Sequence, residues 1–257
     1  MISKSTISLI ASLEHKKHRD ERGLFVAEGV KLVRELRTQL KPYAIFATAA
    51  ADSSSGGGGG GGEASLLSEA EMKKISFLKT PSPMLGVFYI PRSAPPTLLP
   101  QADKPTLALD GVQDPGNLGA IIRLCGWFGI DTLACSPDAA DCYNPKVVQA
   151  SMGAIAHVAV RYTALPDFLQ AARAKGMPVY GTFLEGQNIY RQPLRTPCVV
   201  VMGSEGKGIS PEAARYISQK LYIPSFSAHG GVESLNVATA AAIVCSELRR
   251  KVEDEVK

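Results

Sequence analysis

The sequence predicts an α/β protein in two parts, a small N-terminal α/β domain and a C-terminal domain built on a parallel sheet with helices on both faces. Three observations predict it. From Thr106 onward, short apolar runs without alternation recur between helical stretches, the pattern of strands buried on both faces. A proline-dense stretch, Pro91-Arg-Ser-Ala-Pro-Pro-Thr-Leu-Leu-Pro-Gln-Ala-Asp-Lys-Pro105, separates that region from a shorter mixture of helix and strand before it. The length, 257 residues, admits one large or two modest domains with a well-buried core. Domains are therefore expected at 1–92 and 105–257, joined by a semi-rigid linker over 93–104.

Each element carries its own signal. Ile7, Leu9, Ile10 and Leu13 precede a basic stretch and predict a helix over 3–22. A strand is expected at 23–28, an amphipathic helix at 29–36 on Val30, Val33 and Leu36, and a second strand at 43–48. The glycines Gly56 to Gly62 follow Ser53-Ser-Ser and read as a flexible surface loop. Ser68 and Glu71 form a capping box for a helix reaching about Phe77, Thr80-Pro-Ser-Pro83 breaks the chain, and 86–90 returns as a strand. In the second domain, strands are expected at 106–110, 132–135, 157–160, 178–182, 198–202 and 221–223. Helices fill 118–128, 145–154, 166–175, 211–219 and 234–252.

Composition narrows the function classes. No apolar run reaches the roughly 18 residues of a membrane span, and the N-terminus lacks a signal-peptide pattern. A cytoplasmic protein is expected. The five cysteines (Cys125, Cys135, Cys142, Cys198, Cys245) show no Cys-x-x-Cys pair, and no second ligand pair accompanies His15 and His18, so no metal site is expected. The net charge is +4, and residues 1–50 hold all of that excess, nine Lys/Arg against five Asp/Glu. A basic excess confined to one segment suits a polyanion-facing module, and Lys16, Lys17, Arg19 and Lys31 are the candidate contacts.

In a parallel sheet, ligands bind beyond the carboxyl ends of the strands. That rule selects Asp110 to Asn117, Thr182 to Gly186, Met202 to Gly208 and Ile223 to Asn236. Asp114-Pro-Gly makes a turn, with Asn117 expected to cap the following helix. Arg123 then sits among Ile121, Ile122, Leu124 and Cys125, where a guanidinium needs a partner. That partner is either a strand-end carboxylate or the phosphate of a ligand. No Gly-x-Gly-x-x-Gly follows the first strand, which argues against a dinucleotide-dependent oxidoreductase. Gly203-Ser-Glu-Gly-Lys-Gly208 fails the Walker spacing, which argues against nucleotide hydrolysis. Ser234 and Asn236, entering the last helix, serve equally as a helix cap or as site residues.

Asn117 to Arg123, Gly203-x-Glu-Gly-x-Gly208, and Ile223-Pro followed by Ser234-Leu-Asn-Val resemble, in order, the three motifs of the SpoU (TrmH) family of RNA ribose methyltransferases. The resemblance covers 105–252. It extends more weakly to Phe25-Val-Ala-Glu-Gly-Val-Lys-Leu-Val33, which looks like the family's substrate-binding domain. It implies a SPOUT fold with a C-terminal trefoil knot, S-adenosylmethionine as cofactor, a homodimer, and methylation of a ribose 2′-hydroxyl in RNA. Ribosomal RNA is favoured; transfer RNA and a non-catalytic RNA-binding relative are the alternatives. Carried over by position, the catalytic set is Arg123, Asn117, Glu205, Ser234 and Asn236, and Thr182, Gly203, Ile223, Pro224 and Leu235 hold the cofactor. The segment Ser225 to Glu233, with His229, departs from the family's usual run before Ser-Leu-Asn.

Overall fold

A computed structural model describes residues 1–52, 64–91, 100, 104–227 and 233–256, with only the backbone path over 251–256. The glycine tract, nearly all of the proline-rich linker and the part of the 225–233 segment that contains His229 lie outside the described residues. The chain forms two compact units, one of Met1–Ser93 with Asp141–Ala156, the other of Ala94–Ala140 with His157–Lys257.

The first unit runs α1 (Lys4–Ser12), α2 (Lys16–Arg22), β1 (Leu24–Glu28), α3 (Val30–Gln39), β2 (Pro42–Ala47), α4 (Ala49–Asp52), β3 (Ser65–Leu66), α5 (Glu69–Ile75) and β4 (Met84–Tyr89). Its sheet has the order β1-β4-β2-β3, with β4 antiparallel to both β1 and β2. Ile10, Leu13, Val26, Met72, Ile75 and Val87 belong to one core cluster. The Ser68–Glu71 capping box is present as expected.

The helix expected over 3–22 is instead two helices, and Arg19 supplies the physical reason. Its Nη1 donates to the carbonyls of Leu13 (2.8 Å) and Glu14 (2.7 Å), which the end of α1 leaves unpaired.

The second unit contains β5 (Thr106–Asp110), α6 (Pro115–Trp127) and β6 (Thr132–Cys135). The chain passes through α7 (Pro145–Ser151), a part of the first unit, and returns as β7 (Ala159–Tyr162), α8 (Leu165–Ala174), β8 (Val179–Asn188), β9 (Val199–Gly203), α9 (Pro211–Ala214), β10 (Gln219–Tyr222) and α10 (Val237–Val256). Every strand pair in the six-stranded sheet is parallel, in the order β10-β8-β9-β5-β6-β7. The chain moves outward from β5 through β6 to β7, then crosses to the other side, where β9 pairs with β5. The switch point of the sheet therefore lies between β5 and β9, where open parallel sheets place their ligands. Ala108, Ala134, Leu169, Val179, Val199 and Val201 are buried in the core that supports it.

Several boundaries differ from expectation, α6 starting at Pro115 rather than 118 and α7 ending at Ser151 rather than 154 among them. β7 starts at Ala159 rather than His157, α9 is a single turn where a nine-residue helix was expected, and α10 starts at Val237 rather than Ser234. β8 is longer than expected. Its pairing with β10 passes from Gly181 directly to Gln187, so residues 182–186 stand out of that ladder.

The segment carrying α7 packs within the first unit. Phe25 and Tyr143 bring their rings to 4.9 Å. Arg19 Nε donates to Asp141 Oδ2 at 3.1 Å and Nη2 bonds the same oxygen at 2.5 Å.

Candidate active site

Two neighbouring strand ends make the floor. Asp110 ends β5 level with Gly203 at the end of β9, and the Asp110 carboxylate accepts the Ser210 N–H at 2.7 Å. A Cβ on Gly203 would stand 2.2 Å from the Gly208 carbonyl carbon, so only glycine lets the returning loop pack there. Ser204 and Gly208 exchange both backbone hydrogen bonds, 3.2 and 2.8 Å, and the Ser204 hydroxyl accepts the Lys207 N–H at 3.2 Å. This tight loop holds Glu205, exposed, over the starts of two helices.

The first of these is α6. Asp114, not Asn117, is its N-cap: the Asp114 carboxylate accepts the Asn117 N–H at 2.8 Å, and Pro115 occupies the first helical position. Asn117 therefore sits inside the first turn, and its side chain is free for other partners. Its Nδ2 donates to Glu205 Oε1 at 3.0 Å, and its Oδ1 accepts from Asn236 Nδ2 at 2.8 Å.

Asn236 precedes α10 and does two jobs at once. Its Oδ1 accepts the N–H groups of Ala238 (2.9 Å) and Thr239 (3.3 Å), which caps the helix. Its Nδ2 also donates to Glu205 Oε1 at 2.8 Å, and the Val237 N–H reaches the same oxygen at 3.4 Å. Asn117 from the first turn of α6, Glu205 from the loop after β9 and Asn236 from the entry to α10 close a triangle of hydrogen bonds. One carboxylate at the N-terminal ends of two helices is also favoured by both helix dipoles.

A cavity of about 250 Å³ opens beside this triangle, lined by Gln113, Asp114, Asn117, Asp138, Glu205 and Lys207 among others. Asp138 is fixed by the Ser136 hydroxyl, which donates to it and accepts the Gly111 N–H at 2.9 Å.

The other expected site residues divide. Arg123 is exposed on α6 while Ile121, Ile122 and Cys125 are buried, and it has no hydrogen bond or ion pair among the described residues. The strand-end carboxylate offered as its partner is not there. It stands about 9 Å along the helix from Asn117 at 1.5 Å rise per residue, so the triangle does not bond it directly. Ser234 is exposed and makes no hydrogen bond among the described residues.

Gly203 ends β9 and Ile223 follows β10, while Thr182 lies within β8, the strand between them, one residue past its pairing with β9; Pro224 is half-buried next to Ile223. Thr182 Oγ1 donates to the Val201 carbonyl at 3.4 Å, and Leu235 is 43% exposed.

On the first unit, Lys16 and Lys17 are exposed and pair with Asp20 (2.7 Å) and Glu21 (3.9 Å). Lys31 is exposed at the start of α3. Arg19 is the exception to the expected basic face. It is 2% exposed, and its guanidinium donates to Asp141, Leu13 and Glu14 within the unit, so it is turned away from any outside anion.

Asp114 was expected only to make a turn, although Asp-Pro ahead of an apolar run is a helix-start signal. Sequence reasoning passed over Trp127, which is 83% exposed at the end of α6, four residues after Arg123 and so on its face. All five cysteines are buried; burial raises the Cys198 and Cys245 thiols to about 12, which makes them inert. Among the described residues no group of three or more His, Cys, Asp or Glu is placed to hold a metal, and no helix is long and apolar enough to cross a membrane.

Comparison with known proteins bears on the same two regions. Residues 104–246 match the SpoU rRNA Methylase family, and residues 4–86 match the MRM3-like substrate binding domain. The 23S rRNA (guanosine(2553)-2'-O)-methyltransferase RlmP of Bacillus subtilis is 31% identical over 238 residues, 92% of this chain and 93% of that protein. A TrmH-family protein from Porphyromonas gingivalis superposes with a TM-score of 0.85 at 42% identity, covering 97% of this chain and 99% of that one. The AdoMet-bound rRNA methyltransferase from Sinorhizobium meliloti gives a TM-score of 0.80 at 29% identity, covering 97% of each chain. With three loops of a parallel sheet joined through Asn117, Glu205 and Asn236, and a family match spanning more than half its length, this chain belongs to the SpoU rRNA methylase family.

Proposed function

We propose that the chain transfers a methyl group from S-adenosylmethionine to a ribose 2′-hydroxyl of ribosomal RNA. The observation that carries this reading is the Asn117–Glu205–Asn236 triangle at the switch point of the sheet. Exposed polar side chains contribute little to stability when they pair. Three of them locked together at strand ends, beside a cavity, are better explained as positioning a site.

The residues present fit the cofactor. The chain at Thr182, Gly203 and Ile223 offers backbone groups, and Ile223, Pro224 and Leu235 offer apolar surface, a wall suited to adenine and a thioether stem. S-adenosylmethionine supplies an electrophilic methyl whose departure leaves a neutral thioether, so no general acid is required. What the chain must supply is alignment of the ribose and a means of tolerating the hydroxyl proton. Arg123 is the group we assign to alignment. With no hydrogen bond or ion pair among the described residues, its guanidinium is available to clamp the phosphate beside the target ribose bidentately. That phosphate then helps polarise the hydroxyl. Ser234, one turn ahead of α10, is assigned to the ribose side of the site.

Several further features belong to this reading. Residues 1–92 act as the RNA-gripping domain and 105–257 as the methyltransferase domain, with Lys16, Lys17 and Lys31 facing RNA. The C-terminal segment closes as a trefoil knot over the cofactor. The enzyme works as a homodimer in the cytoplasm; an indole as exposed as that of Trp127, on the face that carries Arg123, supports a second copy covering part of α6. Ribosomal RNA is preferred over transfer RNA because the likeness to the rRNA enzyme RlmP extends through both units.

Mapping ribose methylation by mass spectrometry in RNA from cells with and without this chain tests the reading. A 2′-O-methyl mark in ribosomal RNA that vanishes with the gene is expected. Identical maps, together with no heat of S-adenosylmethionine binding by calorimetry, would leave the non-catalytic RNA-binding relative standing in its place.

A further inference from the structure

The first unit carries an aromatic pair that its own core does not use. Tyr43 is 48% exposed and Tyr89 is 41% exposed, with ring centroids 5.8 Å apart and planes at 77°. Neither hydroxyl makes a hydrogen bond among the described residues. Both positions are set by the backbone. Tyr89 ends β4, where burial stops after Leu85 and Val87 on the same face. Tyr43 lies where the register of β2 on β4 shifts: Pro42 faces Phe88 and Ala44 faces Val87, so Tyr43 is the extra residue of a bulge. A bulge re-aims the residue it adds, and here it turns a ring outward.

The surroundings are cationic. Lys41 Nζ lies 5.5 Å from the centroid of the Tyr89 ring, and the Lys41 carbonyl accepts the Tyr89 N–H at 3.2 Å. Arg22 is exposed at the end of α2, and the carbonyl of the next residue, Gly23, accepts the Ile90 N–H at 2.8 Å. A second cation thus enters the same end of the sheet. No Asp or Glu occurs in residues 37–47 or 84–91, which carry Lys41 and both rings; Asp20 and Glu21 precede Arg22.

We infer that Tyr43 and Tyr89 form a stacking platform for an unpaired base of the RNA substrate, with Lys41 and Arg22 holding the flanking phosphates; this rests on the RNA reading above. Two rings set edge to face leave a wedge in which a flat base stacks on one ring and meets the edge of the other. Lys41, over one face of Tyr89, backs the wedge and reaches the sugar–phosphate chain. The combination of aromatic faces with cations is what single-stranded RNA needs, because every base has a π-face and every linkage an anion. It gives the N-terminal unit a preference for an unpaired segment near the methylated nucleotide.

The test uses the full-length protein with two probes, a short single-stranded RNA oligonucleotide of mixed sequence and a blunt duplex of the same length. Wild type is expected to favour the single strand. Y43A/Y89A should lose about tenfold or more of the single-strand affinity, in line with the stacking worth of one base. Y43F/Y89F, which keeps both rings, should retain it. Affinity for S-adenosylmethionine and the melting temperature should stay at wild-type values in both variants. Lys41→Gln should lower the salt slope of binding by about one unit. Should the alanine pair fold poorly, photo-cross-linking of wild type to the same oligonucleotide carrying 5-iodouridine decides the matter, with adducts expected on Tyr43 or Tyr89. Equal single-strand affinity of wild type and Y43A/Y89A, or adducts confined to other residues, overturns the platform while the RNA reading stands. A wild-type protein that binds neither probe and methylates no RNA overturns both.

Discussion

Two arginines, one in each unit, stand in opposite circumstances. Arg19 lies in a basic run that the sequence marks as outward-facing, yet it is 2% exposed and bonded through all three guanidinium nitrogens. Arg123 lies among apolar neighbours that mark it as needing a partner, yet it is exposed and has none among the described residues. The difference lies in what surrounds each helix. α2 ends a broken helical segment whose freed carbonyls at Leu13 and Glu14 require a donor, and Asp141 supplies the balancing charge. α6 buries Ile121, Ile122 and Cys125 on one face and leaves Arg123 on the other. A guanidinium satisfied from within is architecture. One left unsatisfied at the surface of a site is a candidate for chemistry.

The largest expected effect comes from Arg123. Arg123→Ala should reduce methyl transfer about a thousandfold, roughly 4 kcal/mol, with melting temperature and S-adenosylmethionine affinity unchanged. Arg123→Lys should recover little, because a single ammonium lacks the planar fork. A lysine variant with normal single-turnover methylation breaks the clamp. Arg19→Ala is the converse experiment. Removing one partner of a buried ion pair costs about 3 kcal/mol or more, so thermal unfolding should shift down by roughly 6–12 °C for a chain of this size. Methyl transfer per folded molecule at low temperature should be retained. If Arg19→Ala instead weakens RNA binding at an unchanged melting temperature, the contrast between the two arginines fails.

How much of this was legible beforehand follows from the same contrast. The parallel sheet was readable because Leu107-Ala-Leu109 and Val199-Val-Val201 are continuous apolar runs, a signal carried within a few residues. Asn117, Glu205 and Asn236 were readable as members of motifs, but the triangle they form was not, since it joins residues 88 and 119 apart in the chain. The destination of Arg19 was hidden for the same reason: its partner Asp141 lies 122 residues away and looks like an ordinary loop carboxylate. The break after Ser12 left no glycine or proline to announce it. The capping of α6 by Asp114 was within reach and was misassigned by three positions, because Asp and Asn are both good caps and only Pro115 discriminates between them.

In their effect on methyl transfer, the groups that are partnered but exposed stand between the two arginines. Glu205 accepts from Asn117, Asn236 and the Val237 N–H through one oxygen. Glu205→Gln keeps an acceptor in place but removes its charge, so the bonds weaken to neutral strength. A drop of about tenfold in methyl transfer is expected, with helix content by circular dichroism unchanged because Asn236 still caps α10 through its own Oδ1. A loss as large as that of Arg123→Ala would move Glu205 from positioning to the reacting groups.

The smallest expected effect isolates partnering from burial within the first unit. Glu71 closes the capping box of α5, where its Oε2 accepts the Ser68 N–H and hydroxyl at 3.0 Å each, and its Oε1 accepts the Ile2 N–H at 3.0 Å. These bonds, the Ser68 backbone bond foremost and then that of Ile2, lower its carboxyl from 4.5 to about 2. A carboxyl with a depressed folded-state pKa stabilises above its unfolded value and loses that contribution as pH falls through the folded one. The window here runs from about 4.5 down to about 2. Wild type should therefore melt slightly above Glu71→Gln at neutral pH, and the gap should close as the pH is lowered through that window. A gap that persists at pH 2 would mean that the variant disturbs packing rather than charge. A gap that closes would show that, unlike Arg19, Glu71 owes its part in this unit to hydrogen bonds made at the surface.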